Sequence, residues 1–145
     1  MNTMQKLTLF VDNRVGVLDQ ISILVRRSGW NIKSIHACEE PWNQGTRVIL
    51  TMEGRAELRL LLEQLGRLDC IRDLRVGQDG PGRELALVKG DPEALKDTAL
   101  YYGAALLEDG ATYQFCGTEE AVDGFLIACA RETRIASMRT GPIRL

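Results

Sequence analysis

Residues 12–19 read D-N-R-V-G-V-L-D, with Asn13 and Gly16 three apart. Asn13 carries both donors and an acceptor on one amide, so it can grip either end of a zwitterion. Gly16 reaches backbone angles closed to other residues and has no Cβ to block an approaching molecule. Apolar residues at helical spacing begin at Val17, and the first N–H groups of a helix have no internal partners. Such a helix start attracts a carboxylate or phosphate. The same residue types also suit a plain turn, in which Asn13 only caps a backbone group. Asn31, after Gly29-Trp30, carries the same two meanings: a residue at a helix exit, or a second polar hand facing the first across an interface.

Other chemistry is thinly supplied. His36 is the only histidine. Cys38 lies two residues on, hence on the same face of a strand, but a lone pair is far from a metal site. The reading adopted is a partly buried His beside a core Cys. Cysteines at 38, 70, 116 and 129 form no closely spaced pair, and each sits in an apolar run where a thiol serves as a small hydrophobe. Cys116-Gly117-Thr118 reads as core plus helix cap, since no second histidine exists to act as base. Glu39-Glu40 and Glu119-Glu120 read as solvated charge. No nucleophile–base constellation emerges, so an independent enzyme is not expected, and neither is a metal or cofactor held by this chain.

The elements that position these residues follow from periodicity. Leu7, Leu9 and Val11 alternate with polar neighbours, predicting a strand over Lys6–Asp12. Val17, Leu18, Ile21, Leu24 and Val25 predict a helix over Val17–Ser28, ended by Gly29. A strand over Asn31–Cys38, a loop at Glu39–Gln44 with Pro41, and a strand over Thr46–Glu53 follow. Arg55–Leu68 is a helix and Cys70–Val76 a strand. The order β-α-β-β-α-β is the ferredoxin-like arrangement. G-Q-D-G-P-G at 77–82 is a linker, and the pattern then repeats: a strand at Glu84–Lys89, a helix opened by Pro92, strands at Ala104–Glu108 and Ala111–Cys116 around Asp109-Gly110, a helix capped by Thr118, and a strand at Ile135–Arg139. The expected fold is α+β, two tandem ferredoxin-like units over 1–76 and 83–145. Phe10 and Ile49 fall on the faces opposite the presumed core, either as scattered surface hydrophobes or as a subunit contact.

Bulk properties agree with a globular chain. It has 145 residues, 45% apolar and 26% charged, with a net charge of −2. Residues 1–76 carry 11 basic and 9 acidic side chains, and residues 77–145 carry 7 and 11. No basic stripe points to nucleic acid. No apolar run is long enough to span a bilayer, and no secretory leader opens the chain. A cytoplasmic protein with reduced thiols is expected.

Three separated motifs carry a resemblance. D-N-R-V-G-V-L at 12–18, R-R-S-G-W-N-I at 26–32, and the pair R-E-L-A-L-V-K at 83–89 and R-T-G at 139–141 resemble an ACT domain, and more narrowly the small regulatory subunit of acetolactate synthase (acetohydroxyacid synthase, AHAS). Val15 stands where that family often has Pro or Ser. The stretch from Lys89 to Leu95 is shorter than usual, and the chain ends soon after R-T-G where the family usually runs on. The resemblance implies a non-catalytic subunit, the first unit an ACT domain, that binds a thiamine-diphosphate- and Mg-dependent catalytic subunit, raises its activity and confers feedback inhibition by valine or a related branched-chain amino acid. It implies a homodimer joined through the edge of the ACT sheet at strand two. Asn13, Val15, Gly16, Val17 and Leu18 of one subunit and Asn31 and Ile32 of its neighbour would hold the effector. The same units would also serve a free-standing amino-acid-binding regulator of another partner.

Overall fold

The structure is a computed structural model that describes residues 1–77 and 82–143. The chain divides into two compact units, Met1–Asp79 and Gly80–Leu145. Of the expected linker, residues 78–81 lie outside the described residues. Its two ends are tied down: the Gly77 N–H donates to the Lys6 carbonyl at 2.6 Å, and next to Gly82 the Arg83 N–H donates to the Ile143 carbonyl at 3.0 Å.

The first unit runs β1 (Thr3–Asp12), α1 (Val17–Arg27), β2 (Trp30–Glu40), β3 (Gly45–Gly54), α2 (Leu58–Gly66), β4 (Ile71–Val76). Its antiparallel sheet has the order β2-β3-β1-β4, which leaves β2 at an edge. Alternation decides the faces. Leu7, Leu9 and Val11 of β1 and Val48, Leu50 and Met52 of β3 point to the helices, where Val17, Ile21 and Val25 of α1 and Leu61 and Leu65 of α2 close the core. Helix α1 starts at Gly16, whose φ is 87°, and ends before Gly29, whose φ is 80°. Both are left-handed conformations that glycine adopts without the usual steric cost.

Strand β2 departs most from expectation. It extends past Cys38 because Glu39 and Glu40 pair with Thr46 and Gly45 of β3. Glu40 is buried rather than solvated: Arg47 and Asn43 both donate to its carboxylate. The register shifts between Ile32 and Ser34. Cys38 is exposed, so it is not the core thiol expected beside His36. Ile49, opposite the core face, is no surface hydrophobe: it is buried, with Thr8 and His36 as its register partners on either side. A central strand supplies such neighbours to every side chain.

The second unit repeats the layout with β5 (Arg83–Lys89), α3 (Pro92–Tyr102), β6 (Ala105–Leu106), β7 (Thr112–Thr118), α4 (Glu119–Glu132) and β8 (Ala136–Arg139), in the order β6-β7-β5-β8. Asp91 and Thr118 cap α3 and α4 through their side chains. Phe115, Phe125 and Tyr102 pack ring to ring at 5.0–5.9 Å. Cys129 is buried among them, and burial raises its thiol pKa. Cys116 is exposed because it lies across from Leu85 on the face away from the helices. β6 shrinks to two residues because Asp109 builds a longer turn: its carboxylate accepts from the Ala111 and Thr112 amides and from the Thr112 hydroxyl. Those bonds hold it at a pKa of about 2.

The motifs at 83–89 and 139–141 turn out to be one contact. The side chain of Glu84 is fully buried. It accepts from Arg139 Nε at 2.5 Å, from Arg139 Nη2 at 2.7 Å and from the Gly141 amide at 3.0 Å. Arg139 also reaches Asp123 of α4 at 2.6 Å, and Glu84 raises its pKa. Removing one member of such a pair strands a buried charge. Arg139→Leu is therefore expected to destabilise the second unit by about 3 kcal/mol. Chemical denaturation followed by circular dichroism checks this. Tryptophan fluorescence, whose Trp30 and Trp42 both lie in the first unit, should keep its midpoint.

Candidate functional site

At the junction of β1 and α1 the first intrahelical bond is Gln20 N–H to the Gly16 carbonyl at 3.0 Å. The amides of Val17, Leu18 and Asp19 therefore have no acceptor within the helix. No side chain caps them, and the Asn13 amide makes no hydrogen bond among the described residues. Asn13 is thus not spent on closing its own turn. A Cβ on Gly16 would meet nothing within 4 Å, so the space over the turn is open.

That space is a cavity of about 450 Å³. Asn13, Arg14, Gly16, Val17, Leu18 and Asp19 line it from the turn and helix. Its floor is one row of the sheet: Val11 of β1, Thr46 of β3 and Glu39 of β2 are direct partners across the strands, and all three line the cavity, with Ala37 beside them. Length explains why it stays open. Eleven residues of helix reach about 16 Å, whereas the eleven of β2 reach about 36 Å. Helix α1 thus leaves the far half of the edge strand bare, and Ile35, Ala37 and Glu39 are exposed there.

Two of the four charged side chains that line the cavity are already engaged. Arg14 is paired with Asp69 at 2.6 Å, which raises its pKa. Asp12 is paired with Arg72 at 2.5 Å. The same guanidinium donates to the carbonyls of Asn43 and Gln44 at 3.0 and 3.3 Å and lies over the Phe10 ring at 5.5 Å. It fixes the β2–β3 loop to β4. Asp19 and Glu39 have no side-chain partner among the described residues.

Of the residues expected from the sequence, Asn13, Gly16, Val17 and Leu18 share this cavity. Val15 projects into solvent and does not line it. Asn31 and Ile32 lie at the opposite end of β2, six and five residues from Ala37, or about 20 Å for Asn31. Asn31 is exposed, and Ile32 packs partly into the core of its own unit. Val11, Ala37, Glu39 and Thr46 were not anticipated. The signal that could have found them is strand pairing, since alternation of β1 and β3 sets which residues face α1. Elsewhere, no group of three or more His, Cys, Asp or Glu is placed to hold a metal among the described residues. No helix there is long and apolar enough to cross a membrane.

Residues 7–73 match the family model described as the AHAS small subunit-like ACT domain. Among solved structures, the acetolactate synthase small subunit from Thermotoga maritima is similar over 99% of each chain, with 19% identity and a TM-score of 0.79. That likeness shows the same tandem fold. An unknown protein from Galdieria sulphuraria (14% identity, 99% of this chain and 100% of the other, TM-score 0.46) and the regulatory subunit of aspartate kinase from Thermus thermophilus (12% identity, 92% and 98%, TM-score 0.45) are more distant. No curated protein matches the sequence.

Two outcomes test this geometry. Gly16→Ala should cost about 1–2 kcal/mol of first-unit stability, because a side chain disfavours the left-handed angles there even with free space around it; tryptophan-monitored denaturation reads it. Glu40, whose hydrogen bonds from Arg47 and Asn43 lower its pKa below the ordinary 4.5, gives the second. A carboxyl held low when folded contributes stability above its unfolded pKa and loses it as pH falls. The first unit's melting temperature should therefore drop more below about pH 4.5 in the wild type than in Glu40→Gln.

Proposed function

We propose that this chain, whose first unit matches the AHAS small subunit-like ACT family, is the regulatory subunit of an acetolactate synthase and binds a branched-chain amino acid between two copies of itself. The observation that carries the reading is the cavity over the bare helix start, open toward an unpaired sheet edge. A zwitterionic amino acid needs donors for its carboxylate, acceptors for its ammonium and an apolar slot. The amides of Val17 and Leu18 supply the first, the Asn13 carbonyl oxygen can serve the second, and Val11, Val17, Leu18 and Ala37 supply the third.

The site is half of one. An unpaired edge strand of eleven residues is a template for a second strand, and antiparallel pairing of β2 with its own copy is a closed two-fold contact. Such pairing brings the far end of the neighbour's β2, with Asn31 and Ile32, alongside the cavity of the first chain. The exposed Val15 loop is free to meet the neighbour as well. Occupancy then alters how the two copies pack, and a catalytic partner carrying thiamine diphosphate and Mg would sense that packing. The effector shifts the partner's state only by its differential affinity, typically about 1–3 kcal/mol. Nothing in this scheme asks the chain itself for a bond-making step.

Calorimetric titration with valine, leucine and isoleucine, at concentrations that favour the dimer, should give heat with at least one of them. Asn13→Ala should abolish it. Absence of heat from all three would remove the amino-acid-sensing reading, and failure to co-purify with an acetolactate synthase catalytic subunit would favour a regulator of another partner.

A further inference from the structure

We infer that Glu39 is the ammonium anchor of this cavity and makes it select amino acids over the 2-oxo acids of the same carbon skeleton; the inference rests on the amino-acid-binding reading above. The charge inventory of the lining leads to it. Three charged side chains besides Glu39 line it, Asp12, Arg14 and Asp19, together with the helix start and its bare amides. Asp12 is held by Arg72 and Arg14 by Asp69, so neither offers net charge to a ligand. Asp19 sits in the first turn of α1, where it stabilises the helix dipole and lies on the same side of the cavity as the amides. Glu39, like Asp19, has no side-chain partner among the described residues, and of the two it is the one on the opposite wall.

Its position is set by the sheet. Val11, Thr46 and Glu39 form one cross-strand row on the helix-facing side. Two strand spacings, about 10 Å, separate the backbone of Val11 beneath the turn from that of Glu39 at the edge. A carboxylate at the amides of Val17 and Leu18 thus leaves the α-substituent of the ligand pointing across the floor toward Glu39. An ammonium there gains a charge-assisted hydrogen bond. A 2-oxo acid puts a carbonyl oxygen in the same place, an acceptor facing an acceptor. A site built to bond a donor rejects the analogue that lacks it. The carboxyl is also in the strand that the pairing of two copies would cover, so its counter-charge comes from the ligand at the moment the site closes.

The test is calorimetry on the full-length protein with L-valine, L-leucine and L-isoleucine and with the three matching 2-oxo acids, on the wild type and on Glu39→Gln and Glu39→Asp. Melting curves establish that the variants fold, as expected for an exposed side chain. The wild type should bind its amino acid at least tenfold more tightly than the matching 2-oxo acid. Glu39→Gln should weaken the amino acid at least tenfold while leaving the 2-oxo acid within about twofold, collapsing the ratio, and Glu39→Asp should restore part of it. A merely structural role would weaken both ligands alike. If the wild type binds an amino acid and Glu39→Gln leaves the amino-acid-to-oxo-acid ratio unchanged, the anchor assignment falls and the sensing function stands. If the wild type binds none of the six, both fall together.

Discussion

The first unit is governed by a mismatch of rise. A helix advances less than half as far per residue as a strand, and α1 and β2 have eleven residues each. Two helices on one side of a four-stranded sheet therefore cannot roof its longest edge strand. The uncovered strip is where Ala37 and Glu39 are exposed on the helix-facing side, and it lies beside a helix start that no side chain seals. The cavity needs no special device to exist. It is the remainder left when an apolar core has been closed as far as the helices reach.

Around that remainder, polar contacts hold rather than fill. Arg72 ties the end of β1, the β2–β3 loop and the Phe10 ring to β4 through one guanidinium. Arg47 and Asn43 hold Glu40 at the turn end of the β2–β3 hairpin. These contacts fix the backbone that presents Glu39 and Thr46 without entering the cavity. Rigid support beneath an open crevice is what binding requires, since less ordering then has to accompany the ligand.

Legibility from the sequence tracked how one-sided each element is. β1, α1 and α4 bury a single face, and their periodicity marked both the element and its core residues. β2 was read poorly because the helix-facing side of its far half is exposed, so the apolar alternation fades there, and because a register shift near Lys33 interrupts it. Glu39 and Glu40 illustrate the remaining difficulty. Adjacent and identical, they have opposite fates, one buried under Arg47 and one lining a cavity, and only the partner strand distinguishes them. Cys116 was misplaced for a similar reason: a thiol in an apolar run can face either way. The turn residues Asn13 and Gly16 were legible as cavity-lining candidates because their chemistry is local; Val11, Ala37 and Thr46 were not, because their place in the lining arises from pairing across three strands.

The contact between Glu84 and Arg139 spans 55 residues and joins the first strand of the second unit to its last. A carboxylate cannot be buried there without its cation, so β5 has to wait. On the ribosome, the first unit has all its strands once Val76 has emerged, whereas the second cannot lock until residue 141 has done so. The two halves of this chain, alike in layout, are bound to mature at different moments of synthesis, and a nascent chain will carry one finished domain ahead of one still unsealed.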